Sequence, residues 1–189
     1  MTKFFPTFVP SPLRGAPIST ALLAINGVIF FANQFGALPW TVSFPGIFSS
    51  GTVLAHFSHF SFLHLAMNAY GIFLFSPILE KMFGRARYIF FLLFLWIFLS
   101  VAMPFFQTAP TLGFSGMMLG MMSALALILF FKTQKNATHP LRQFAKSLAV
   151  LLVINLALPF FLPQISFAGH AVGAVGGLIF VPIFFLKKS

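Results

Sequence analysis

Six stretches of the chain are each long and apolar enough to cross a lipid bilayer, which requires about 20 mostly apolar residues. They are the segments 17–36, 60–79, 87–106, 115–131, 144–162 and 168–186. In lipid, every backbone N–H and C=O must find its partner within the protein, so such segments fold as helices. The sequence therefore predicts an all-α, polytopic membrane protein, a six-transmembrane-helix bundle that forms one domain over residues 1–189.

Composition supports this fold class and narrows the partners. The chain is 59% hydrophobic and 6% charged, whereas a soluble domain carries about 25% charged residues. A net charge of +10 would suggest nucleic acid in a soluble protein, but here the basic residues lie in small clusters between apolar runs. The predicted partner is therefore the lipid bilayer and not nucleic acid. Because the chain has no cysteine, disulfides, thiolate metal sites and a cysteine nucleophile are excluded.

The basic residues all fall on one side of this arrangement. None lies in the connections 37–59, 107–114 or 163–167. The positive-inside rule makes the basic side cytoplasmic. We therefore predict cytoplasmic termini in a multi-pass protein. We also expect the membrane to be a bacterial inner (plasma) membrane, although the charges themselves fix only the orientation. The 11 basic residues are Lys3, Arg14, Lys81, Arg85, Arg87, Lys132, Lys135, Arg142, Lys146, Lys187 and Lys188.

The connection 37–59 is unusually apolar for a loop. Pro39, Pro45 and two glycines argue against a spanning helix. Trp40 is placed like an interfacial anchor. We therefore expect a compact element that lies in the outer membrane interface.

Polar side chains occur near the outer ends of three predicted helices. His64 and Asn68 lie in the second segment, Ser115 begins the fourth, and His170 lies near the start of the sixth. An ionisable group within a span is costly and suggests a functional site. These three segments run in the same direction across the membrane, so the polar groups are predicted to share one depth.

Small residues at four-residue spacing accompany Ser115 and His170. They occur at 116, 120 and 124 in the fourth segment and at 169, 173 and 177 in the sixth. Such stripes let helices approach closely in lipid. If the two helices pack through them, the hydroxyl meets the imidazole, an arrangement that activates a serine nucleophile. Each feature alone more often serves packing, so the hypothesis depends on their conjunction.

Two further polar groups and one acidic residue refine this hypothesis. His64 and Asn68 are four residues apart and project from one helical face. Both could donate to an oxyanion during acyl transfer, or they could only position their helix through an interhelical hydrogen bond. Glu80, the single acidic residue, lies about 24 Å from His64 along the helix. It cannot orient His170, so any catalysis would use a Ser/His dyad.

The scarcity of acidic residues also limits which cofactors and metal ions the chain could bind. The chain has no Asp and no HExxH motif, which excludes an aspartyl dyad and a zincin-type metal site. No cofactor and no metal are predicted.

At these positions the sequence resembles the rhomboid family of intramembrane serine proteases. The ordered strings are HFSFLHLAMN at 59–68, GFSG at 113–116 and GHAVGAVGG at 169–177. The EKMFG turn after the second segment is also similar, and the likeness covers about residues 50–182. Any one string is weak, but the ordered set on three helices is specific.

The resemblance implies a six-helix protease with Ser115 as nucleophile and His170 as general base. It implies an oxyanion site from the Ser115 backbone N–H, His64 and Asn68. The implied substrates are transmembrane segments of other proteins, which are cleaved near their outer ends. Three supporting residues are also implied, with a loop-shaping role for the first: His59, Gly113 and Gly116.

Two positions depart from the family pattern. Leu119 stands where bacterial members often have an aromatic residue against the base, and SSGT at 49–52 stands where many have a Trp-Arg pair. The departures indicate a divergent branch and leave open a rhombosortase-like role in processing C-terminal sorting anchors. Two alternatives remain: an inactive, derlin-like protein that binds transmembrane segments without cleavage, and a transporter or bis-histidine haem carrier that uses His64 and His170.

Overall fold

A computed structural model describes residues 12–134 and 139–185, and within these ranges the chain is almost entirely helical. One isolated antiparallel bridge joins Ser43 to Thr111. A 3₁₀ turn follows α2 and another follows α6, and a π-helical turn over Val181–Phe185 extends α7. The α-helices are α1 Pro17–Gln34, α2 Ser50–Leu54, α3 Phe62–Phe83, α4 Arg85–Phe106, α5 Ser115–Lys132, α6 Pro140–Ala157 and α7 Phe167–Phe180.

Six helices within the described ranges are long and apolar enough to cross a membrane, and α2 is the exception. This confirms the predicted all-α, six-span fold. Four of the residues behind the topology prediction lie outside the described residues: Lys3, Lys135, Lys187 and Lys188.

The fifth predicted segment, 144–162, differs most from the structure. Helix α6 begins at Pro140, because a proline is favoured in the first helical turn and the His139 side chain accepts a hydrogen bond from Leu141 N–H. The α-helical part ends at Ala157, two residues before Pro159. The sequence prediction began too late because Arg142 was assigned to a loop.

The contact between α5 and α7 forms the centre of the bundle. A Cβ on Gly173 would overlap the carbonyl of Gly116, and a Cβ on Gly177 would overlap that of Gly120. The Ser123 hydroxyl donates to the Ala174 carbonyl at 2.8 Å across the same contact. The stripes of small residues therefore bring the two helix backbones together, as close packing in lipid requires.

Glu80 joins α3 to the beginning of α1. Its carboxylate accepts hydrogen bonds from Ile18 N–H at 3.1 Å and Ser19 N–H at 2.8 Å. The N-cap residue of α1, Ala16, provides no side-chain hydrogen bond. Glu80 therefore caps α1 from a neighbouring helix, where a carboxylate also complements the positive end of the helix dipole.

Candidate active site

Ser115 is the first residue of α5 and follows a tight turn. Gly113, in that turn, has φ of 119°, a conformation that side chains disfavour. The Gly113 N–H donates to the Ala55 carbonyl at 2.9 Å, and Phe114 is fully buried. The first N–H groups of a helix have no acceptor within the helix. The turn therefore fixes Ser115 with its own N–H at a helix terminus suited to bind an anion.

His64 lies against the same turn although it belongs to α3. A Cβ on Gly113 would be 2.6 Å from His64 Cε1, so a glycine at 113 makes room for the imidazole. The His64 ring also packs edge-on against His59, with 4.9 Å between ring centroids. His64 Nδ1 is buried without a hydrogen-bond partner among the described residues.

Asn68 lies one turn along α3 from His64 and is 3% exposed. Its amide donates one hydrogen bond to the His64 carbonyl at 2.9 Å. An amide has two N–H donors, so one is left for another acceptor. Asn68 Oδ1 has no partner within the described part of the chain.

His170 lies in the second turn of α7 and is 4% exposed. Its Nδ1 is 2.9 Å from the backbone carbonyl of Asn155 in α6. Gly169, the residue before His170, contacts the first turn of α5. The structure therefore gathers side chains from α3 and α7 at the end of the bundle where α5 begins.

Ser115 and His170 are chain neighbours of the glycines at the first α5–α7 contact. A Cβ on Gly116 would be 2.9 Å from the Gly169 carbonyl. Across residues 12–134 and 139–185, no hydrogen bond joins the Ser115 hydroxyl to the His170 imidazole. Catalytic hydrogen bonds are often long in a protein without substrate and tighten on binding.

His59 and His56 are two buried histidines of the 37–59 connection. His59 is fully buried, and neither ring nitrogen has a hydrogen-bond partner in the described residues. Burial lowers the pKa of His59 to about 4; the nearby His64 lowers it further, and a contact with the Phe57 backbone partly offsets the shift. Burial also lowers the pKa of His56 to about 4. Both rings are therefore neutral at physiological pH.

A small cavity of about 30 Å³ lies beside Ser115, which is enough to hold a water molecule. Sequence reasoning missed His56, which lines this cavity. The one hint in the sequence was that a histidine lies three residues before His59. The polar lining side chains are Ser43, His56, Thr111, Ser115 and Ser166.

The 37–59 connection is anchored without the Trp-Arg pair of the family. Ser49 and Thr52 cap the short helix α2 reciprocally. Trp96, on α4, donates its indole N–H to the Val53 carbonyl at 2.7 Å. The connection therefore contains a compact helical element that α4 holds in place.

The described residues hold no group of three or more His, Cys, Asp or Glu side chains that could bind a metal ion.

Comparison with known proteins gives one family. The family model described as the rhomboid domain matches residues 49–187. The chain is 29% identical over 181 residues to the putative rhomboid protein L523 of Acanthamoeba polyphaga mimivirus, covering 91% of this chain and 93% of that protein. It is 25% identical over 206 residues to the putative rhomboid protease YdcA of Bacillus subtilis, covering 100% and 96%.

A third relative is longer. The rhomboid protease GluP of Bacillus subtilis is 28% identical over 131 residues, which are 69% of this chain but only 25% of GluP.

Proposed function

Because the chain belongs to the rhomboid family, we propose that it is an intramembrane serine endopeptidase that cleaves transmembrane segments of other proteins by a Ser115/His170 dyad. The six apolar helices make it an integral membrane protein, and the family supports an intramembrane protease function. The proposal also includes three finer points: the dyad, the substrates and a location in the inner membrane of a bacterium.

The observation that carries the proposal is the convergence of three helices on Ser115. Helix α5 presents the hydroxyl at its first residue, α7 brings His170 beside the glycine contact, and α3 lays His64 over the Gly113 turn. The proposal assigns the nucleophile, the base and an anion-binding group to these three separate segments. An inactive binder has no need of that combination.

In the proposed first step, Ser115 Oγ attacks the scissile carbonyl while His170 Nε2 takes its proton. The carbonyl oxygen becomes an oxyanion, which the Ser115 backbone N–H, His64 and the second amide N–H of Asn68 stabilise. His170 then gives the proton to the leaving amine, so that an acyl-enzyme and the first product remain. Water hydrolyses the acyl-enzyme by the same proton transfers in reverse order.

The cavity beside Ser115 suggests a preference at the cleavage site. It is small, about 30 Å³, and three glycines of its wall, Gly113, Gly116 and Gly169, bring the backbone close, which favours a small side chain over an aromatic one. We expect cleavage after small residues, where the substrate helix is also easily unwound near its outer end.

Cleavage of single-span proteins tests the proposal. Wild type and Ser115→Ala would be reconstituted in liposomes with a panel of single-span substrates that differ at the residue before the cleavage site. We expect the wild type to cut substrates with small residues and Ser115→Ala to cut none. Binding of the panel by a folded wild type without any cleavage would instead establish the inactive, derlin-like function.

A further inference from the structure

The orientation of His170 depends on a backbone carbonyl in α6 that a proline leaves free. His170 Nδ1 is 2.9 Å from the Asn155 carbonyl oxygen. A carbonyl oxygen only accepts hydrogen bonds, so the imidazole must carry its proton on Nδ1 to make this bond. Nε2 of the neutral ring then has a free lone pair, the state in which a histidine can accept a proton from a serine hydroxyl.

The sequence explains why this carbonyl is available. In an α-helix the carbonyl of Asn155 would accept from the N–H four residues later, and that residue is Pro159, which has no N–H. The N–H of Leu158, three residues later, donates to the Ile154 carbonyl. The helix therefore leaves the Asn155 carbonyl without a donor of its own.

The Asn155 side chain takes no part in this contact. Its amide donates to the Leu151 carbonyl at 2.8 Å within the same helix. The position of the carbonyl is therefore determined by the backbone of α6 and by Pro159.

We propose that Pro159 is a positioning residue of the active site, which leaves the Asn155 carbonyl free to hold His170 in the Nδ1-protonated tautomer. The inference rests on the proposed dyad. It supplies an orienting group where Leu119, buried in the core, replaces the aromatic residue that bacterial rhomboids often place against the base. The nucleophile, the base and its orienting group then come from α5, α7 and α6.

Pro159→Ala tests the inference because it restores an N–H that competes for the Asn155 carbonyl. We expect labelling of Ser115 by a fluorophosphonate probe to slow about tenfold, the size of one net hydrogen bond. Pro163→Ala is the matched control, since it makes the same change in the exposed connection before α7 and should label at the wild-type rate.

A second readout reports the tautomer itself. Protein with ¹⁵N-labelled histidine would be studied by ¹⁵N–¹H correlation spectra at a pH where His170 is neutral, with its signals assigned by comparison with His170→Gln. We expect protonated Nδ1 in the wild type and in Pro163→Ala, and a mixture of tautomers in Pro159→Ala.

The outcomes separate this inference from the proposed function. Protonated Nε2 in the wild type would overturn the inference, and that result needs no variant to fold. A folded Pro159→Ala protein that keeps the wild-type tautomer and the wild-type labelling rate would also overturn the inference. A wild type that is not labelled at all would overturn the dyad, while its histidine spectrum would still report on the Asn155 contact.

Discussion

Two polar clusters, one buried and one partly buried, lie at opposite ends of α3, and they differ in how completely their hydrogen bonds are satisfied. The dyad cluster consists of His59, His64, Asn68, Ser115 and His170. Within the described residues, His59 Nδ1 and Nε2, His64 Nδ1 and Asn68 Oδ1 have no partner. Buried polar atoms without partners are costly, and these lie around the proposed nucleophile, where a substrate or a water molecule can supply the partner.

The Glu80 cluster consists of Ser19, Ser76, Glu80 and Tyr88. Ser19 Oγ donates to Glu80 at 2.6 Å, Ser76 Oγ donates to Ser19 at 2.7 Å, and the Tyr88 hydroxyl bonds to Ser76. Because each hydroxyl carries one proton, and Ser76 and Ser19 use theirs toward the carboxylate, Tyr88 donates to Ser76. The Tyr88 hydroxyl also lies 3.2 Å from Met121 Sδ. This complete network ties α1, α3 and α4 together and leaves nothing for a substrate to bind.

The comparison supports the proposal that the dyad cluster serves chemistry, whereas the complete network of the Glu80 cluster serves stability. Substitutions in the dyad cluster should therefore mainly reduce activity, whereas substitutions in the Glu80 cluster should mainly reduce stability. Each of the following experiments tests whether they do.

The largest difference is expected between His170→Ala and Glu80→Gln. Removing the base should lower cleavage by at least about 1,000-fold. Glu80→Gln should leave cleavage measurable but reduce the free energy of unfolding by about 1–3 kcal/mol, because an amide cannot accept all the hydrogen bonds of a carboxylate. Cleavage assays measure the activity, and thermal unfolding in detergent measures the stability. Complete loss of cleavage in a folded Glu80→Gln protein would contradict the assignment.

Loss of an oxyanion donor is the next largest effect. Asn68→Ala should lower kcat by about 100- to 1,000-fold. Asn26→Ala is a matched control, because Asn26 in α1 is also buried, donates to the carbonyl four residues earlier and has an Oδ1 with no partner among the described residues. If both variants lower kcat equally, Asn68 has only a structural role.

The buried histidines predict a pH dependence of stability. His56 and His59 have folded-state pKa values of about 4, below the ordinary 6.5, so between these values the unfolded state binds more protons. Stability should therefore be greatest above pH 6.5 and should fall as the pH drops toward 4, by up to about 3 kcal/mol for each residue.

Thermal unfolding across this pH range measures the effect. His59→Gln should flatten the pH dependence, whereas Glu80→Gln should lower stability without removing the contribution of the histidines. An unchanged pH profile in a folded His59→Gln protein would show that His59 does not contribute.

The smallest effect is expected from Ser19→Ala in the Glu80 cluster. It removes one of three donors to Glu80 and should cost about 1 kcal/mol of stability, with the labelling rate of the folded protein unchanged. Thr20→Ala removes an exposed hydroxyl that bonds only within its own helix and should have little effect on unfolding. A slower labelling rate for Ser19→Ala would show that the clusters are coupled.

The sequence predicted the spans well because length and hydropathy determine them locally. Glycine spacing also pointed to the α5–α7 contact that the structure contains. Hydrogen-bond partners were harder to predict, since they depend on how distant segments meet. Pro159 reveals that the Asn155 carbonyl is free, yet nothing local indicates that His170 lies opposite. The same holds for Glu80, whose distance from His64 could be estimated but whose bonds to α1 could not.

The identity of the reactive serine tests the central claim most directly. Folded wild-type protein and Ser115→Ala would be treated with a fluorophosphonate, digested and analysed by mass spectrometry. We predict one adduct, on Ser115, and no labelling of Ser115→Ala. An adduct on another serine, or a folded wild type that stays unlabelled, would contradict the assignment of the dyad cluster to catalysis.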